Sequence, residues 1–278
     1  MPPRLLAIAD LHVEVPENRR FTEGLRPGDD GDWLILCGDV GEVMADVEWG
    51  LDHLARMFAK VVWVPGNHEL WTRSDDPVEL RGDARYQHIV SYCREHGIAT
   101  PEDPFPVWNG AGGPAVVAPL FTLYDYSFGV NVGSTKAESL ARAEEAGIVC
   151  TDEFLLHPEP HGSIEDWCAE RLRITRARLD EEAGDTPSVL VNHFPLLREL
   201  TAPLMYPEFA QWCGTVATAD WHTRYRAAAV VYGHLHIPRT TEHDGVRFHE
   251  VSLGYPRQWA RRSRQPTLRR ILPEEGAA

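Results

Sequence analysis

The chain has 278 residues, 43% hydrophobic and 25% charged, the make-up of an ordinary soluble globular protein. That length suits one large α/β domain or two small ones. Lys plus Arg is 27 against 42 Asp plus Glu, a net charge of −15, and such a surface repels nucleic acid and anionic membranes unless a local basic patch intervenes. No apolar stretch approaches the ~20 residues of a membrane helix.

The first strand is expected from Arg4 or Leu5, which leaves no room for a signal peptide ahead of it. Five cysteines (Cys37, Cys93, Cys150, Cys168, Cys213) show no paired spacing, so free thiols in a reducing cytoplasm are expected. Arg257, Arg261, Arg262, Arg264, Arg269 and Arg270 form the one basic concentration, read as a solvated C-terminal segment.

No internal repeat or long linker interrupts the chain, and a single domain over 1–278 is expected. Residues 1–120 read as strand, loop, strand, helix, strand, helix, strand. Val43, Val47, Leu51, Leu54 and Phe58 recur at helical steps. A second helix is predicted over Pro77–His96, ending at Gly97, and a strand over Pro114–Phe121. Residues 122–187 break the pattern and read as an insertion over the active-site face. Within them Ser163-Ile164-Glu165-Asp166 opens a helix whose apolar face carries Ile164, Trp167, Cys168, Leu172 and Leu179. Strands resume at Ser188 and Ala228. A hairpin of Arg239–Thr241 with Arg247–Leu253 turns at Asp244-Gly245.

Five short apolar runs end in potential metal ligands. Leu5–Ala9 leads to Asp10-Leu11-His12, Trp33–Cys37 to Gly38-Asp39, and Val61–Val64 to Gly66-Asn67-His68-Glu69. Val189–Val191 leads to Asn192-His193, and Ala229–Tyr232 to Gly233-His234-Leu235-His236. Short Val, Ile and Leu runs with a sharp polar or Gly stop are buried strands, and in open α/β sheets ligands gather at the carboxyl ends of strands.

Taken singly, each motif has a plainer explanation. Asp39 suits a helix cap, Asn67 a turn, and His193 a satisfied core position. Five such endings in succession make coincidence a poor account. The Asp, Asn and His mixture suits borderline divalent ions such as Mn²⁺, Fe²⁺ or Zn²⁺. Seven candidates exceed one tetrahedral zinc, and two ions sharing a carboxylate use them well.

Asp10-x-His12, Gly38-Asp39-x-x-Glu42, Gly66-Asn67-His68-Glu69, His193 and Gly233-His234-x-His236 together resemble the signature of the calcineurin-like metallophosphoesterases. The resemblance implies a four-layer αββα sandwich with two mixed β-sheets and a dinuclear metal centre at the strand ends. It puts Asp10, His12 and His236 on one ion, Asn67, His193 and His234 on the other, and Asp39 between them. His68 becomes the histidine that faces substrate. Glu42 replaces the more common Asp of its motif, and Glu69 meets the family pattern, either as an orienting group or as a solvated carboxylate.

The activity implied is two-metal-dependent hydrolysis of a phosphomonoester or phosphodiester by a metal-activated hydroxide, with His68 as general acid or charge stabiliser. A small phosphorylated substrate is expected, because an insertion covering the site favours one. A nuclease is the alternative, opposed by the acidic charge and the lack of interleaved basic and aromatic residues. A non-catalytic scaffold of the same fold is opposed by retention of all seven ligands and His68. Arg257 is either a phosphate contact or a surface arginine. Tyr124, Asp125 and Tyr126 either line the pocket or pack beneath a loop.

Overall fold

A computed structural model describes residues 2–131, 133–262 and 266–274. The elements in chain order are β1 (Leu5–Ile8), α1 (Pro16–Glu23), β2 (Trp33–Cys37), α2 (Met44–Ala55), β3 (Lys60–Val64), α3 (Asn67–Leu70) and α4 (Gly82–Glu95). Next come β4 (Val107–Trp108), β5 (Ala115–Pro119), α5 (Lys136–Glu145), α6 (Asp152–Leu155), α7 (Ile164–Glu182) and β6 (Ser188–Val191). After three short 3₁₀ segments follow α8 (Trp221–Arg224), β7 (Ala227–Tyr232), β8 (Arg239–His243), β9 (Val246–Glu250), α9 (Pro256–Trp259) and β10 (Arg269–Leu272).

Two mixed sheets result. One runs β10-β1-β2-β3, with β10 antiparallel to three parallel strands. The other runs β4-β5-β6-β7-β9-β8, parallel in the middle with antiparallel edges. The apolar runs explain the layering. Alternate residues of a strand face opposite sides, and both sides are covered here. Leu5, Ala7 and Ile35 meet Val117, Val189 and Val231 between the sheets. Their neighbours Leu6, Leu34 and Trp63 meet Leu51, Leu54 and Ile89 of α2 and α4. On the far side Leu190, Val230 and Phe248 meet Leu179 of α7 and Trp221 of α8. These three interfaces separate the four layers of the predicted sandwich. Each fully buried Leu, Val or Ile there contributes roughly 1.5–3 kcal/mol.

The β8–β9 hairpin turns at Asp244 and Gly245, both at positive φ, the geometry of a two-residue type I′ turn. Ser163 caps α7 by accepting from the Asp166 amide at 3.1 Å. All five cysteines are free and buried. Among the described residues no helix is long and apolar enough to cross a membrane.

Several expectations need correction. The loop after the first strand contains α1, which has no apolar periodicity because it buries Asn18 and Thr22. Asn18 donates to the carbonyls of Leu11 and Gly254, so polar bonds seat this helix. The helix expected from Pro77 starts only at Gly82. Ahead of it Asp76 is committed to loop bonds with the Met44 and Val78 amides and with Arg85. The basic C-terminal segment is not simply solvated. Arg269 and Arg270 lie in β10, paired with Ala7 and Leu6 of β1, and Ile271 and Leu272 are buried. Arg257 and Arg261 are exposed and Arg262 half-buried, while Arg264 lies outside the described residues. Residues 122–187 are divided in use: α7 is built into the core through Trp167, Cys168 and Leu179, and Val149–Asp152 forms a wall of the cleft described next.

Candidate metal centre

Every predicted ligand sits just past the carboxyl end of a parallel strand. Asp10 and His12 follow β1, Asp39 follows β2, and Asn67 and His68 open α3 after β3. His193 follows β6, and His234 and His236 follow β7. The two sheets join at this end. Ala9 donates to Val251 and accepts from Leu253, so the strand ends of both sheets reach one point.

Close approach of the loops requires glycine. A Cβ on Gly66 would lie 2.0 Å from Asp39 Oδ1, and one on Gly233 would lie 2.4 Å from Asp10 Oδ2. Gly38 has φ +82°, and its Cβ would meet the Gly66 nitrogen at 2.6 Å. The glycines of the three motifs therefore leave room for the side chains that follow. Asp10, His12, Asp39, His234 and His236 themselves adopt positive φ. Such backbone costs of order 1–3 kcal/mol per residue and persists where the surroundings enforce it, commonly at functional sites.

The seven side chains form one buried cluster. Asp10 Oδ1 lies 3.0 Å from His236 Nε2, and His12 Nε2 lies 3.3 Å from the same nitrogen. His193 Nε2 lies 3.2 Å from Asn67 Oδ1 and 3.4 Å from Asp39 Oδ2. Asp10, His12 and His236 can converge on one ion, and Asp39, His193 and His234 on another. Asp39 also joins His12 and His68 in a third grouping, so its carboxylate lies between the two ends of the cluster.

Hydrogen bonds orient the donors. His193 Nδ1 donates to the Cys37 carbonyl at 2.9 Å, leaving Nε2 with its lone pair. His236 Nδ1 donates to Gln258 Oε1 at 2.9 Å, again freeing Nε2. The Asn67 amide nitrogen donates to Asp152 at 2.9 Å, turning its oxygen toward His193. Ligand histidines in metal sites are commonly held this way through the second ring nitrogen. Glu69 is fully buried and accepts from the amides of Asp39, Val40 and Gly66 at 2.9–3.0 Å. It is an orienting group, not a solvated carboxylate, because it pins two ligand loops together.

The electrostatics suit cations. Burial holds His12 well below the ordinary imidazole range and His234 down to about 3, so both are neutral donors at pH 7. His234 Nε2 and His12 Nδ1 are buried without a hydrogen-bond partner. An unpartnered buried polar atom is costly, and for His234 Nε2 a bound cation removes that cost. Asp39 stays well below the usual carboxylate range: burial opposes ionisation, but His193 and His68 outweigh it. This donor set fits borderline divalent ions.

His68 lies beside the cluster. Its amide donates to Asp39 Oδ1 at 3.0 Å, and its Nδ1 lies 3.2 Å from Glu42 Oε1. Burial works against charge on this ring, but Asp39 and Glu42 raise it to about 9. Trp71 packs on the ring with centroids 3.6 Å apart.

Above the cluster opens a cleft of about 410 Å³ whose lining includes Asp39, Asn67, His68, His234, His236 and Arg257. Arg257, the residue read above as a phosphate contact or a surface arginine, is exposed and lies at this cleft. Asp125 and Tyr126 do not line it. Asp125 accepts from the Ser127 amide and the Thr215 hydroxyl at 3.0 and 2.7 Å, and Tyr126 donates to Glu153 at 2.7 Å. Tyr124 is fully buried, packed edge-on to Phe194. These three belong to the packing beneath the loop. Sequence reasoning missed Asp152, Trp71 and Gln258, whose roles depend on partners that come together only in the fold.

A family model described as calcineurin-like phosphoesterase matches residues 3–238. The chain is 56% identical over 272 residues to the acyl-carrier-protein phosphodiesterase PptH of Mycobacterium tuberculosis, covering 98% of this chain and 84% of the relative. It is also similar to the crystal structure of phosphopantetheinyl hydrolase (PptH) from Mycobacterium tuberculosis, with a TM-score of 0.97 and 55% identity. That likeness covers 100% of this chain and 98% of the other.

Proposed function

Because the chain belongs to the calcineurin-like phosphoesterase family, and is therefore a phosphoester hydrolase, we propose that it cuts the phosphodiester joining a phosphopantetheinyl group to an acyl carrier protein. One observation carries the reading. A chain that shares nearly its whole length with an acyl-carrier-protein phosphodiesterase also gathers Asp10, His12, Asp39, Asn67, His193, His234 and His236 into one buried cluster beside His68. On this reading the expected free small substrate gives way to a group borne by a protein. The five buried free thiols support a reducing, cytoplasmic setting.

The seven side chains would hold two divalent ions, Mn²⁺, Fe²⁺ or Zn²⁺, on this reading, with Asp39 in reach of both groups of donors. Such ions supply Lewis-acid activation of water and neutralise phosphate charge. The protein does the rest. Arg257 presents a guanidinium suited to two phosphoryl oxygens at once. Glu42 fixes the His68 ring through Nδ1, which leaves Nε2 to carry a proton. His68 gives that proton to the departing ester oxygen, which would otherwise leave as an unstabilised alkoxide. Val149–Asp152 and Phe209 line the same cleft as Arg257, where a substrate arm would pass.

The test is intact-mass analysis of a phosphopantetheinylated acyl carrier protein incubated with the metal-loaded enzyme. The expected result is a carrier protein lighter by the phosphopantetheinyl group. An unchanged mass, from enzyme that still cuts an aryl phosphodiester, would mean that a different diester is the substrate.

A further inference from the structure

We propose that Asp152 is a positioning residue that serves two parts of the site at once, fixing the amide of Asn67 and, through Trp71, the ring of His68. The inference rests on the ligand role of Asn67 and the proton-donor role of His68 proposed above.

Asp152 is the first residue of α6 and only 1% exposed. Its Oδ1 accepts two hydrogen bonds, from Asn67 Nδ2 at 2.9 Å and from Trp71 Nε1 at 2.7 Å. Each has a separate consequence. A carboxamide can present oxygen or nitrogen to the same point, because the two ends are alike in shape. With its nitrogen bound to Asp152, Asn67 must turn its oxygen the other way, where it lies 3.2 Å from His193 Nε2. Released, the amide could turn its N–H groups to the ion, where they repel a cation.

The second bond sets a ring. Indole has one polar atom, a donor, so its acceptor decides which way the plane faces. Bound to Asp152, the Trp71 ring lies against His68 with a tilt of 31°. Glu42 holds His68 by its Nδ1 edge, and Trp71 holds it by its face.

The mount is firm. Glu153, the next residue, accepts from the Tyr126 hydroxyl and from Trp212 Nε1, both at 2.7 Å. Thr72 donates to the Leu155 carbonyl at 2.9 Å, and Trp71 pairs with Leu156 in an antiparallel bridge. Packing alone does not account for an acid here. Asp152 Oδ2 is buried with no partner, and a half-satisfied buried carboxylate is costly. The carboxylate is explained by the two donors it orients.

Four variants separate the two arms: Asp152→Ala, Asp152→Asn, Trp71→Phe and Asn67→Ala. Metal affinity is measured by Mn²⁺ titration calorimetry of the metal-free full chain, and kcat and KM on an alkyl phosphodiester, whose poor leaving group depends on proton donation. Asn67→Ala should weaken one of two binding events. Asp152→Ala should weaken the same event by about 10–100-fold. Asp152→Asn should restore it, since a carboxamide oxygen can accept from both donors. Trp71→Phe should leave both affinities within about twofold and lower kcat about tenfold or more at unchanged KM, as a misplaced catalytic group does.

Wild-type affinity in Asp152→Ala, beside weakened binding in Asn67→Ala, would overturn the inference. So would equal impairment in Asp152→Asn and Asp152→Ala. An Asn67→Ala that binds both ions normally would instead remove the ligand reading, and the inference with it. Should Asp152→Ala not fold, Asp152→Asn and Trp71→Phe keep the test decisive: weakened metal binding in Asp152→Asn, or wild-type kcat in Trp71→Phe, would overturn the inference.

Discussion

Asp39→Asn is expected to lower kcat by about 10³-fold while the protein stays folded, since several kcal/mol of charge stabilisation is lost at 1.36 kcal/mol per tenfold. The carboxylate is 1% exposed and common to two of the three ligand groupings. Its Oδ1 accepts from the His68 amide, and its Oδ2 lies 3.4 Å from His193 Nε2 and 3.7 Å from His68 Nε2. An asparagine of the same shape keeps an acceptor for the His68 amide but removes the negative charge that two cations would share. Turnover and near-ultraviolet circular dichroism, taken on the same preparation, separate lost chemistry from lost fold. Undiminished turnover in a folded Asp39→Asn would show that the bridging assignment is mistaken.

The second large effect belongs to His68. His68→Ala should lower turnover by about 10²-fold or more, the range usual for a positioned general acid, with metal content unchanged. His68 meets the cluster through its amide bond to Asp39, a 3.7 Å approach of its Nε2 to Asp39 Oδ2 and an edge-on ring contact with His12, and the backbone amide survives the substitution. Its loss should therefore touch the chemistry and spare the ions. An aryl diester with a good leaving group needs less protonation, so the deficit should shrink on such a substrate. A deficit of the same size on good and poor leaving groups would argue for charge stabilisation instead of proton donation.

The clustering of the candidate ligands was readable in the sequence because the strands that lead to them are buried on both faces. Double burial produces unbroken runs such as Leu5–Ile8 and Val189–Val191, and their abrupt polar ends mark where the sheets' carboxyl edge meets the cleft. The close glycines at Gly38, Gly66 and Gly233 accompany those ends for a steric reason. What could not be read has no local pattern. α1 is held by Asn18 bonds to Leu11 and Gly254, the second 236 residues away. β10 carries two arginines in the strand that pairs with β1, and arginine in a short segment looks like solvated charge. Asp152 finds Asn67 across 85 residues. Tyr124, Asp125 and Tyr126 follow β5 as ligand loops follow other strands, but their partners are Phe194, Thr215 and Glu153, so they turn into packing.

The arrangement also explains why the cluster is costly in isolation. Asp10, Asp39, Glu69 and Glu250 are all buried near one another, and burial raises Glu69 and Glu250 to about 7. Five ligand residues occupy positive φ as well. Charge and strain of this kind persist where binding compensates them, and divalent cations are the natural counterpart of two carboxylates and four imidazoles that point at one space.

The most direct measurement is therefore metal stoichiometry: chelator-stripped protein reloaded with Mn²⁺, Fe²⁺ or Zn²⁺, desalted and analysed by elemental mass spectrometry, with turnover followed on the same sample. About two ions per chain are expected, with activity that rises with their incorporation and loss of both properties in Asp39→Asn. Full turnover from protein holding no stoichiometric metal, or from Asp39→Asn with its metal content unchanged, would contradict the two-metal reading.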